Sequence, residues 1–132
     1  MITALVLAVV AQAAVPDLPV PQGPPTEEVA EQITVIGQRL KTFKGGVYKK
    51  DGKLTCQIAQ STGDKAVDMI RCGAMLRCYA PKADELDAIA ASDASQADRN
   101  RRMQVIAEAT LPCVENASDA GVRMLAEKRS PA

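Results

Sequence analysis

Histidine and tryptophan are absent from this 132-residue chain, and Phe43, Tyr48 and Tyr79 are its only aromatic side chains. Without histidine there is no Ser/His or Cys/His nucleophile pair and no Cys-x-x-Cys-His haem attachment. The four cysteines include no Cys-x-x-Cys pair, so a four-thiolate zinc site lacks its usual spacing. Scarce aromatics leave few platforms for stacking bases, which argues against nucleic acid as a partner. They also imply a thin apolar core. The sequence therefore assigns no catalytic residue, no cofactor and no metal ligand.

A long apolar run is missing too. Ile2 to Val10 is uncharged and almost wholly aliphatic, but a bilayer-spanning helix needs about 20 apolar residues. The small residues Ala11, Ala13 and Ala14 that follow complete the outline of a secretory signal peptide, although no Lys or Arg precedes the apolar run. Residues 1–14 are accordingly expected to be a leader cleaved after Ala13 or Ala14. No stable membrane insertion then remains, and the mature protein works in the periplasm or is secreted. Residues 15–31 carry Pro16, Pro19, Pro21, Pro24 and Pro25 with four acidic residues, a composition that buries too little surface to offset ordering entropy and reads as a disordered linker. Residues 32–130 are left for a single domain. At about 100 residues its burial is modest, and cross-links help.

Charge cancels over the whole chain but is unevenly placed. Between Gln38 and Lys82 ten Lys or Arg face three Asp, a balance of +7, whereas Ala83 to Ala132 carries −3 and the linker −4. The plainest consequence is attraction between the two halves of one domain; attraction to anionic envelope material or to an acidic partner is the alternative.

Cysteine is what the folded part does have. Cys56, Cys72, Cys78 and Cys113 are even in number, and in an oxidising compartment they pair as two disulfides. Val47 to Ile58 reads as a β-hairpin turning at Asp51-Gly52, with Gly45-Gly46 marking a bend where the first arm starts. On the second arm Leu54, Cys56 and Ile58 alternate with polar neighbours, which places the Cys56 sulfur on the buried face. Asp64 then caps a helix from about Lys65 to Cys78. At about 100° per residue, Val67, Ile70, Ala74 and Cys78 form one apolar stripe and Met69, Cys72, Leu76 and Tyr79 another. A helix with two apolar stripes is covered on two sides. Beyond Pro81 come a helix over Ala83 to Ala91, a break at Ser92 to Ser95, and a helix from Gln96 on which Met103, Ile106, Ala109, Thr110 and Cys113 share a face. Pro112 either kinks that helix or begins a new one. These faces predict Cys56 joined to Cys72 and Cys78 joined to Cys113. The fold class is α+β: a small antiparallel hairpin packed on a central helix, followed by C-terminal helices.

The segment GKLTCQIAQSTGDKAVD, Gly52 to Asp68, resembles the strand, Ser-Ser/Thr-Gly-Asp/Asn turn and helix start of TonB C-terminal-like domains. Tyr79-Ala80-Pro81 resembles the aromatic-x-Pro that follows their helix. The likeness covers about residues 44–81, and variants of such domains, chiefly alphaproteobacterial, carry cysteines in the strand and helix as Cys56 and Cys72 stand here. It implies a fold fragment and periplasmic protein binding. EQITVIGQR, Glu31 to Arg39, resembles the TonB box and plug entry of outer-membrane receptors, which bind by adding a strand to a sheet edge. The plainer reading makes Ile33 to Ile36 this domain's own first strand.

Together these features point to an exported, non-enzymatic interaction domain that meets an envelope protein by β-strand addition, with Ile33, Val35, Leu54 and Ile58 as the candidate partner-strand edge. The sequence is silent on oligomeric state. Two other classes remain open: a hydrolase of envelope polymers using Asp64 with Asp68 or Asp84 with Asp87, and a secreted stress or inhibitor protein. For each carboxylate a cap or a solvated structural role is the simpler assignment.

Overall fold

A computed structural model describes residues Gly23 to Pro131, so the leader and the first part of the linker expected from the sequence, residues 15–22, lie outside the described residues. The elements run α1 (Glu27–Leu40), β1 (Lys44–Lys50), β2 (Lys53–Gln60), α2 (Lys65–Tyr79), α3 (Ala83–Ala90) and α4 (Gln96–Arg129). One 3-10 turn at Ala80–Lys82 carries Pro81 between α2 and α3. The fold is α+β, as expected.

β1 and β2 form an antiparallel hairpin, and they are the only strands among the described residues. Asp51 and Gly52 both take positive φ, 53° and 75°, the backbone of a two-residue turn whose twist matches that of the flanking strands. Val47 opposes Cys56, Tyr48 opposes Thr55 and Gly45 opposes Ile58, with the ladder slipping between Lys44 and Gly45. Gly45 is obligatory there. A Cβ at that position would lie 2.4 Å from the Gln57 carbonyl oxygen and 2.8 Å from Cζ of Phe43.

α2 is the hub. The disulfide Cys56–Cys72 ties it to the hairpin and Cys78–Cys113 ties it to α4, the pairing that the helix faces predict. Its N-terminal half contributes Val67 to one apolar cluster with Val29, Ile36 and Leu40 of α1 and Val122 and Ala126 of α4. The other half contributes Ala74, Met75 and Cys78 to a second cluster with Val114, against which Phe43, Val47 and Tyr79 pack.

The start of the chain departs from expectation. Glu27 to Glu31, assigned to the disordered linker, form the opening of α1, and Ile33 to Ile36 are helical rather than a first strand. Thr26 accepts a hydrogen bond from the Val29 amide at 3.3 Å, and Glu27 and Glu28 in the first turn oppose the positive helix end. Val29, Ile33, Ile36 and Leu40 then recur at helical spacing on the face buried against α2 and α4. That burial overrides the β-branched preference of Ile33, Thr34, Val35 and Ile36.

Two further faces differ. On α2 Met69 is 56% exposed, while Asp68 is buried beside Cys72 and Met75, because hydroxyl and amide donors reach the carboxylate and remove the cost of burying it. On α4 the buried positions are Ile106, Thr110, Val114, Ser118, Val122 and Ala126, one every four residues. Ala109 and Cys113 are exposed. A four-residue step advances the stripe by about 40° each time, so the buried face winds from α3 past α2 to α1. Pro112 neither ends the helix nor starts another. It stands on the exposed side with Leu111 and Cys113, where water can satisfy the carbonyl that its missing N–H leaves unpaired.

Candidate functional site

Three places carry the sequence-level candidates. The first is the sheet edge. β1 and β2 have no outer partner strand among the described residues, so each presents one row of unpaired backbone groups. Leu54 and Ile58 lie on β2 as expected, with Leu54 half-buried and Ile58 43% exposed, opposite a glycine that offers it no side-chain cover. Ile33 and Val35 belong to α1 and contribute nothing to a strand edge. Tyr48, 41% exposed, stands on the other face of the hairpin opposite Thr55. The hairpin also carries Lys44, Lys49, Lys50 and Lys53. Lys49 donates to Asp87 of α3, and that hydrogen bond holds its ammonium above the usual lysine range.

The second place is the turn from β2 into α2. Asp68 accepts from the Ser61 hydroxyl, from the Thr62 amide at 2.8 Å and from the Thr62 hydroxyl at 2.7 Å. Asp64 caps α2 by accepting from the amides of Ala66 and Val67. It also receives a two-pronged pair of bonds from Arg129 at 2.8 and 3.1 Å, with Arg39 at 3.6 Å. Both carboxyls are held below the ordinary aspartate range, Asp68 chiefly by the Ser61 hydroxyl and Asp64 chiefly by Arg129. Carboxylates so well supplied with donors are poor proton donors and poor bases. Asp64 joins the start of α2 to the ends of α1 and α4, and Asp68 folds the turn back onto the helix. The contribution of Arg39 and Arg129 was invisible in the sequence, because basic residues in the last turn of a helix serve their own helix as readily as a distant carboxylate.

The third place, Asp84 and Asp87 in the first turns of α3, yields one carboxylate paired with Lys49 and one exposed. Among the described residues no group of three or more Cys, Asp or Glu side chains could hold a metal ion. No helix of the described residues is long and apolar enough to cross a membrane. All four cysteines are paired, which fits an oxidising compartment.

Comparison with protein-family models, curated proteins and solved structures found no match to this chain.

Proposed function

We propose that this protein is a small exported, non-enzymatic interaction domain, active in the periplasm or outside the cell, that accepts a strand from an envelope protein on the open edge of its hairpin. The carrying observation is the hairpin itself: two strands of seven and eight residues, braced from one side by α2 and a disulfide, with no third strand among the described residues. A strand added at such an edge gains main-chain hydrogen bonds for affinity and alternate side chains for selectivity. The resemblance of Gly52 to Asp68 to TonB C-terminal-like domains supports the same reading, as do the leader-like N-terminus and the two disulfides. The edge that remains is β2 with Leu54 and Ile58, together with β1; Ile33 and Val35 drop out of it.

Cross-linking of the tagged mature protein in its native envelope, followed by mass spectrometry, tests this. Cross-linked peptides are expected to map to Lys44–Gln60, and Ile58→Pro, which deletes one strand N–H, is expected to abolish capture while the disulfides and helical circular dichroism persist. Undiminished capture by a folded Ile58→Pro variant would remove the edge from the mechanism.

A further inference from the structure

One cleft of the molecule combines an apolar, aromatic wall with basic side chains. It is an open, shallow cleft of about 420 Å³ where the end of α1, the start of β1, α2 and the middle of α4 meet, a volume within the usual range for small-molecule sites. Its apolar wall is made by Phe43, Met75, Tyr79 and Val114, two of the chain's three aromatics among them. Leu111 extends that wall, yet is 54% exposed. A large aliphatic side chain left in water beside an aromatic wall is a surface that an apolar ligand would cover.

The charge lining this cleft has one sign. Lys41, Lys44 and Arg71 border it, and no Asp or Glu does. Arg71 is held at the wall through Nη1, which donates to the Ser118 hydroxyl at 3.1 Å and to Glu115 at 3.4 Å. Lys41 and Lys44 are exposed, and their ammonium groups enter no ion pair among the described residues. The adjoining cleft over Ile33 and Gly37 also reaches Lys41 and Arg71, but Glu115 and Asp119 border it.

We infer that the Phe43–Tyr79–Leu111 cleft binds a small amphipathic anion, an organic acid with an aliphatic or aromatic body of up to about ten carbons and a single carboxylate. The body lies along Phe43, Tyr79 and Leu111, and the carboxylate faces Lys41 and Lys44. The cleft touches the hairpin at Lys44 and Gly45, the first residues of β1, and leaves Leu54 and Ile58 of β2 outside it; its occupation does not depend on strand addition.

Titration of the oxidised, ¹⁵N-labelled protein with hexanoate, octanoate and decanoate tests the assignment, with decyltrimethylammonium as a probe of the same body and opposite charge. Amide shifts are expected around Phe43, Met75, Tyr79 and Leu111, with affinity rising roughly two- to fourfold per added methylene. The Lys41→Glu/Lys44→Glu variant is expected to weaken octanoate binding about tenfold. Leu111→Gln, at an exposed site that does not threaten the fold, is expected to flatten the dependence on chain length. Equal binding of the cationic probe, shifts scattered over the whole surface, or unchanged affinity in both variants would each overturn the inference.

Discussion

The approach of α2 to α4 offers a test in which the sign of a mutational effect, rather than its size, decides the outcome. Gly121 lies on α4 against Ile70 of α2, and a Cβ added to it would stand 2.9 Å from Cγ2 of Ile70, 3.4 Å from Cγ1 and 3.6 Å from its Cβ. Ile70 is branched at Cβ, so its methyl cannot swing aside without leaving its preferred rotamer. Overpacking of this kind costs about 1–3 kcal/mol. Alanine in place of glycine inside a helix returns about 1 kcal/mol. Gly121→Ala should therefore destabilise the protein by up to about 2 kcal/mol. In an Ile70→Ala background, where both γ carbons are gone, only the helix preference remains and the same substitution should stabilise by about 1 kcal/mol. The difference between the two backgrounds is a coupling energy of about 1–3 kcal/mol, large for a single contact. Guanidinium chloride unfolding of the four oxidised proteins, followed by far-ultraviolet circular dichroism, measures it. A stabilising Gly121→Ala in the native background, or the same sign and size in both, would refute the close packing of α2 on α4 at this point.

Two further outcomes follow from the cross-links and the buried turn. In the chain-entropy model, replacing Cys56 and Cys72 by serine should cost about 3 kcal/mol and replacing Cys78 and Cys113 about 4 kcal/mol, because the second bridge closes 35 residues and the first 16; denaturation of the two variants under identical conditions checks the order. Asp64 and Asp68 both titrate below the ordinary value of 3.8 in the folded protein. The stability they confer is complete above that value and is lost as pH falls through their lowered folded-state values. Asp68→Asn should flatten the acid limb of a stability-versus-pH curve, and an unchanged limb would mean that the turn hydrogen bonds contribute nothing through ionisation.

How much of this could be read from the residues alone divides along the length scale of the interactions. The hairpin turn at Asp51-Gly52, the Asp64 cap and the break before Gln96 are local, and they stand in the structure where the sequence put them. The disulfide pairing was legible because Cys72 and Cys78 project about 120° apart on one helix, so each meets a different neighbour. α1 was not legible. Prolines just upstream hid the Thr26 cap, and a β-branched run inside a helix gives its local signal to the wrong element, while the deciding burial comes from α2 and α4. The face of α4 was misplaced for a related reason: a fixed stripe presumes one partner, and this helix meets three elements in succession. Asp68 was taken as solvated because charge seemed to exclude burial, yet Ser61 and Thr62 supply the donors that permit it. The edge residues divide in the same way, with Leu54 and Ile58 on a strand and Ile33 and Val35 on α1. The apolar and basic cleft draws on residues from 40 to 114, a juxtaposition no sequence window contains.

The two bridges join the first cysteine to the second and the third to the fourth, and their loops neither overlap nor nest. A chain delivered N-terminus first into an oxidising space would expose Cys56 and Cys72 while Cys113 is still 41 residues behind. An oxidant that links thiols in order of arrival then produces the native pattern directly. No wrong bond has to be undone by slow thiol–disulfide exchange. Each closed bond also fixes one flank of α2 before the next neighbour arrives, so the order of the chain, the order of oxidation and the order of packing coincide.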